Sequence, residues 1–285
     1  MGGAFVAVAD DATATVWNPA GLASGDFLGV TAEGGQSYPP TGLESAGGTT
    51  SVPMFVGVAT PPLGVSFVRR PVVGVSADRS TGPTFLPRWT VARVQTTAVG
   101  LTVLQSVNDY VVVGGTVRFG RQGVDAVNGR APLVGDGPSS GATDADLGVL
   151  VRFAHVRAGA TFWNLRRPTF DDVRIGRVAV PRAARVGVAF QPTDDWTVAV
   201  DADLTRLATF DGDRRMLAAG VERWSTGRRV GVRAGIRSSL LGDYRPAGSL
   251  GASLAVRHGA WMEGQFTRGT DRADHSWGIG LRVGF

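Results

Sequence analysis

From Val52 onward, apolar side chains recur at every second position, in runs separated by glycine, proline and polar turns. Val111, Val113, Val117 and Phe119 alternate with Thr116 and Arg118. Leu147, Val149, Val151 and Phe153 alternate with Gly148 and Arg152, and Val156, Ala158, Ala160 and Phe162 with Arg157, Gly159 and Thr161. Trp196, Val198, Val200 and Ala202 stand opposite Asp201 and Asp203; Val230, Val232, Ala234 and Ile236 stand opposite Arg233 and Arg237. The chain closes on Trp277, Ile279, Leu281, Val283 and Phe285, interleaved with Gly278, Gly280, Arg282 and Gly284. A period of two puts successive side chains on opposite faces of a strand, so each run predicts a strand with one apolar and one polar face.

Counted from Phe27, the pattern predicts about fourteen strands, apolar on one face only. The first covers Phe27 to Gly34, the second Val52 to Val58 and the third Leu63 to Val68. Tight turns at Thr60-Pro61-Pro62, Val107-Asn108-Asp109, Ala154-His155, Ser225 to Arg228 and His258-Gly259 alternate with longer connections. Those lie near residues 36–50, 71–89, 121–142, 166–182, 207–213, 238–247 and 269–274, and are expected to be irregular. Short turns on one side and long loops on the other are the rhythm of a membrane barrel. The expectation is an all-β fold: a closed antiparallel transmembrane β-barrel, residues 26–285, preceded by a short helical plug, residues 1–25.

The segment from Gly2 to Ala23, GGAFVAVADDATATVWNPAGLA, has no such alternation and no basic residue. Ala9 to Val16 predicts about two helical turns with Asp10 and Asp11 in the first, where carboxylates suit the helix dipole. Pro19 should end that helix. Asn18, preceding a proline, is driven out of the helical region, so Asn18-Pro19-Ala20-Gly21 should turn the chain sharply into the first strand.

Composition narrows the classes. The 285 residues contain no cysteine, which removes disulfides and thiolate metal sites. No stretch is long and apolar enough for a membrane helix. The formal charge of +5 comes from arginines spread singly along strands, whereas nucleic-acid binders cluster them, so nucleic acid is not an expected partner. His155, His258 and His275 fall in or beside turns without a second ligand at metal spacing, and there is neither a nucleophile elbow nor a phosphate loop. Asp171-Asp172 and Asp211-Gly212-Asp213 read as solvated acidic loops. An enzyme, a cofactor and a metal site are therefore not expected.

The N-terminal spelling, with Gly2, Gly3, Asp10, Asp11, Asn18, Pro19, Ala20 and Gly21, closely resembles the signature of the FadL and PorV-like outer-membrane barrels. A last strand carrying Trp277 and ending in Phe285 resembles the assembly signal of bacterial outer-membrane proteins. The resemblance implies a bacterial outer-membrane location, with the signal peptide removed or the start misassigned at Met1, and contact with outer-membrane lipids and the barrel-assembly machinery. It also implies that the N-terminal segment plugs the barrel. On the FadL side the expected function is uptake of hydrophobic compounds such as long-chain fatty acids, released through the wall once the plug shifts. On the PorV-like side the barrel is a non-transporting scaffold or shuttle for secreted proteins. The chain departs from the FadL pattern in its shortness, its modest loops and its charge-rich polar face.

If the apolar faces meet lipid, the polar faces line a lumen holding Arg118, Arg152, Arg157, Arg185, Asp201, Asp203, Glu222, Arg233, Arg237, Arg257, Glu263 and Arg282. These charges can pair among themselves, or some of the arginines can take Asp10 and Asp11 and hold the plug. Gly148, Gly159, Gly187, Gly231, Gly235, Gly278 and Gly280 on the same face serve either wall curvature or room for the plug, and their spread favours curvature. Trp196, Trp224, Trp261 and Trp277 near strand ends suit a headgroup girdle. Phe85, Leu86, Trp89, Phe170, Leu240 and Leu241, with Tyr38 and Tyr244, are candidates for the rim of a ligand pocket.

Overall fold

The computed structural model describes residues 1–38, 52–78, 88–127, 140–172, 176–209, 212–242 and 244–285. Its strands are β1 (Gly29–Ser37), β2 (Met54–Thr60), β3 (Leu63–Asp78), β4 (Arg88–Ser106), β5 (Val111–Val127), β6 (Ser140–Phe153), β7 (Val156–Trp163), β8 (Thr169–Asp172) and β9 (Gly176–Ala179). They continue with β10 (Ala183–Thr193), β11 (Trp196–Asp203), β12 (Leu207–Thr209), β13 (Gly212–Arg214), β14 (Met216–Trp224), β15 (Val230–Ser239), β16 (Ala247–Arg257), β17 (Ala260–Gly269) and β18 (Ser276–Gly284). Fourteen of them form one closed barrel in the order β1-β18-β17-β16-β15-β14-β11-β10-β7-β6-β5-β4-β3-β2. β1 closes it, pairing antiparallel with both neighbours: Val30 faces Val58 on β2 and Val283 on β18.

Alternation decides which way each strand faces. On β2, Met54, Val56 and Val58 are exposed while Phe55 and Ala59 are buried. Leu250, Ile279 and Ile236 lie 65–69% exposed on the outside, which no water-soluble sheet would leave uncovered on this scale. The inside is the reverse: Thr31, Ser66, Thr102, Thr116, Thr161, Asp201 and Ser253 are all buried. An apolar exterior around a polar interior is the membrane-barrel arrangement.

Several expectations are corrected. β3 runs to Asp78 and β4 begins at Arg88, so most of 71–89 is paired wall and not loop. β5 and β6 likewise extend to Val127 and back from Ser140 into the expected loop at 121–142. These extensions pair in register with their neighbours, which the apolar pattern alone does not reveal. The loops at 166–182 and 207–213 carry small hairpins, β8-β9 and β12-β13.

The N-terminal helix is shorter than expected. Only Ala14–Trp17 is α-helical (α1), and Asp10 and Asp11 precede it. Asp11 instead accepts the Thr13 backbone N–H at 2.8 Å, a turn that competes with helix from Ala9 onward. Asn18 is extended (φ −153°, ψ 104°), but Pro19 opens a 3-10 helix, Pro19–Ser24, where a sharp turn into the wall was expected. Asn18 Oδ1 caps that helix by accepting the Ala20 N–H at 3.2 Å, with Pro19 in the first position, where its missing N–H costs nothing.

Candidate functional site

Inside the barrel, the N-terminal segment is seated as a plug on the inward faces of the wall, with contacts from Met1 to Ala23. Ala4, Ala7 and Val8 pack on Ala189, Ala199 and Ala218 of β10, β11 and β14. Ala9, Ala12, Ala14 and Leu22 pack on Phe55 and Ala59 of β2, and Ala20 on Val112 and Leu150 of β5 and β6. The alanines of this segment thus serve close approach more than helix propensity.

Room for that approach is made by inward glycines. A Cβ on Gly159 would stand 2.7 Å from the Val6 carbonyl oxygen, and one on Gly114 would stand 2.6 Å from the Ala20 nitrogen. Gly148, Gly220 and Gly235 likewise abut the plug, against Asn18 and Pro19, Met1 and Gly2, while Gly187 lies first against the wall's own Asp201 carboxylate and then against Val6. Space for the plug, more than curvature, accounts for these positions. Gly231 faces the Trp224 ring, and Gly278 and Gly280 face Gln265 and Glu33, so those three serve the wall's own side chains.

Polar side chains of the wall grip the plug by its backbone. Asp201 Oδ2 accepts N–H bonds from Phe5 at 2.7 Å and Val6 at 2.9 Å. Arg185 Nη1 donates to the Gly3 carbonyl at 3.3 Å, and Arg152 Nη1 to the Ala23 carbonyl at 3.4 Å. The Gly2 N–H donates to Ser249 Oγ at 2.7 Å; Trp163 Nε1 donates to the Val16 carbonyl at 2.9 Å, and the Thr116 hydroxyl to the Thr15 carbonyl at 3.0 Å. Asn18, fully buried, crosses the interface the other way. Its Nδ2 donates to Val6 O at 2.8 Å within the plug and to Val149 O at 3.1 Å on β6. Pro19, Ala20 and Gly21 are buried behind it.

The acidic pair plays a smaller part than an arginine-held latch would need. Asp10 lies 4.0 Å from Arg282 and within electrostatic range of Arg157, while Asp11 is taken up by Thr13. Burial, then the neighbouring Asp11 carboxylate, push Asp10 up to about 6 from its ordinary 3.8. Burial also raises Asp11, and its bonds from Thr13 oppose the rise.

The remaining lumen charges pair across strands. Arg118 reaches Asp146 at 2.7 Å, Asp144 at 3.1 Å and the Asn164 side chain at 2.8 Å. Arg185 holds Asp203 at 2.6 Å. Arg233 bridges Glu263 at 3.2 Å and Glu222 at 3.5 Å, and Arg237 meets Asp274 at 3.0 Å. Arg282 lies 3.7 Å from Glu263, with its guanidinium 4.9 Å from the Trp261 ring centroid and 5.9 Å from that of Trp224. Trp224 is therefore interior, donating to Glu222 at 2.8 Å, and is not part of a girdle; Trp261 faces the same Arg282. Trp196 and Trp277 are on the outside. Arg257 is exposed beside the His258-Gly259 turn, because an irregularity between Ala255 and Arg257 breaks the alternation.

Asp144 and Asp146 were not anticipated. They continue the inward phase of Gly148 toward the N-terminus of β6, and extending that alternation by four residues would have found them. Of the pocket-rim candidates, Phe85 and Leu86 lie outside the described residues, Trp89 belongs to β4 and Phe170 to the β8 hairpin. Leu240, Leu241 and Tyr244 lie in the β15–β16 connection, Leu240 and Tyr244 exposed. Phe285 is exposed at the end of β18.

No protein-family model matches the chain, and no curated protein sequence matches it. Solved structures do. A CymD monoaromatic hydrocarbon channel superposes with a TM-score of 0.72 at 14% identity, covering 98% of this chain and 94% of that one. A Pseudomonas aeruginosa FadL homologue gives 0.70 at 12% identity, over 99% and 96% of the two chains. The Ralstonia pickettii toluene transporter TbuX gives 0.67 at 13% identity, over 100% and 96%. The chain has the FadL-like outer-membrane barrel fold from end to end; at such identities the likeness is one of fold.

Proposed function

We propose that this barrel is a plugged outer-membrane channel for hydrophobic compounds. The observation that supports it best is the seating of the plug. It packs on the inward faces of β2, β5, β6, β10, β11 and β14, in a lumen also crossed by ion pairs, so passage along the lumen would call for the plug to shift. Its bonds to the wall are individually modest, about 1 to 3 kcal/mol each, which suits a part that moves. The fold neighbours named as monoaromatic hydrocarbon channel and toluene transporter favour small aromatic hydrocarbons alongside long-chain fatty acids as the substrate class.

A scaffold for secreted proteins is the second reading, and the density of plug bonds speaks for it. One experiment separates the two. Binding of a fluorescent long-chain fatty acid to detergent-refolded protein is measured with and without residues 2–23, with toluene as competitor. Saturable binding displaced by toluene, with release altered by the deletion, is the channel outcome. Absence of binding of either compound to either form removes the channel reading and leaves the scaffold.

A further inference from the structure

At the short-turn end, beside the last residues of the plug, lies a cleft of about 460 Å³. Its apolar lining is Pro61, Pro62, Leu104 and the plug's own Ala23; its polar lining is Gln105, Ser106 and Arg152. That volume falls within the range of small-molecule sites, about 300 to 1,000 Å³. From the β2–β3 turn to Arg152 on β6 the cleft crosses three interstrand spacings, about 14 Å of wall, so it suits a compact ligand.

The charge at this cleft is uncompensated. Arg152 pairs in register with Arg157 across the β6–β7 hairpin. Both face inward: Arg152 reaches the plug, and Arg157 shares the face of Gly159, which abuts Val6. Like charges directly opposite each other destabilise a sheet. Arg118, Arg185, Arg233, Arg237 and Arg282 each have a carboxylate within 4.0 Å. Among the described residues neither Arg152 nor Arg157 has one, and Asp10 acts on Arg157 from beyond ion-pair distance. Both plug contacts of Arg152, to the Ala23 carbonyl and the Ser24 hydroxyl, are made by Nη1 and are 3.4 Å long. Nε and Nη2 remain for a planar, two-pronged acceptor.

We propose that this cleft binds a compact organic carboxylate of about benzoate size, its carboxylate on Arg152 and its apolar body against Pro61, Pro62 and Leu104. Ser106 and Gln105 add O–H and N–H donors at the rim. The anion relieves the repulsion between Arg152 and Arg157 without displacing the plug contacts on Nη1. The site goes beyond the channel reading, since it needs the short-turn mouth and no passage through the lumen.

The test is fluorine NMR titration of the refolded protein with 4-fluorobenzoate and with the uncharged 4-fluorobenzyl alcohol. The intact protein should prefer the acid by about 10-fold, the worth of a charge-assisted hydrogen bond. Arg152→Gln should abolish the preference and Arg152→Lys, which keeps a cation, should restore part of it. Ser106→Trp fills the cleft while leaving Arg152 in place, and should weaken binding of the acid. The control is Arg223→Gln at the same end of the barrel, where the guanidinium lies 5.1 Å from the Trp196 ring centroid; it should bind as the intact protein does. Equal binding of acid and alcohol by the intact protein overturns the proposal whatever the variants do. So does an unchanged preference in Arg152→Gln, or undiminished acid binding in Ser106→Trp. The outcome turns on the ligand's charge, which displacement by toluene does not read, so this proposal and the channel reading fail separately.

Discussion

Asp201→Ala removes a wall carboxylate that holds two plug amides. Asp201 is buried, and its Oδ2 is the acceptor for the N–H groups of Phe5 and Val6. A hydrogen bond to a charged group is worth about 1.5 to 3 kcal/mol, so the lower bound for both gives about 3 kcal/mol. That is a factor of roughly 150 in the ratio of docked to released plug. Hydrogen exchange followed by mass spectrometry reads it directly. Exchange over residues 2–9 should accelerate by about two orders of magnitude, while the wall strands keep their protection, because their own ladders are untouched. Asp201→Asn keeps an acceptor and loses the charge, so its effect should be intermediate. Unchanged exchange at the plug in Asp201→Ala, or equal acceleration of plug and wall, would refute the idea that the wall grips the plug by its backbone.

Gly148→Ala would drive a methyl into Asn18 and Pro19 and should unseat the plug, raising single-channel conductance in planar bilayers; Gly248→Ala, with open space around it, should not. Asp10 makes docking pH-dependent. Its docked value of about 6 lies above the ordinary 3.8, so its contribution is fully present below 3.8 and is lost as pH rises through 6. Plug protection factors, taken relative to the intrinsic exchange rate at each pH, should therefore rise on acidification from pH 7 to pH 4, and Asp10→Asn should flatten that window. Arg282→Met leaves Glu263 without one cation and strips the contacts with Trp261 and Trp224, so the heat-modifiable gel transition should fall. Arg282→Lys should recover only part of the loss, because an ammonium does not stack as a planar guanidinium does.

The wall was legible because lipid outside and a polar lumen inside impose the same alternation on every strand, so Val111 to Phe119 and Trp277 to Phe285 could be assigned one by one. The extension of β3 through Val72–Asp78 escaped, because its pairing with β4 is set by the barrel and not by local spelling. Asn18-Pro19 was read correctly as a break, yet its partner was invisible. Val149 is 131 residues away, and only barrel closure brings β6 to it.

By itself, then, the sequence determined the number and facing of the strands and the distinct character of residues 2–23, because both follow from local periodicity. Tertiary structure alone decided how the plug is held. Backbone amides carry no side-chain signature, so nothing in the spelling of Phe5 and Val6 announces Asp201. Small residues are ambiguous until a neighbour is placed against them, and the seating of the plug turned Gly114 and Gly159 from bends in a wall into sockets.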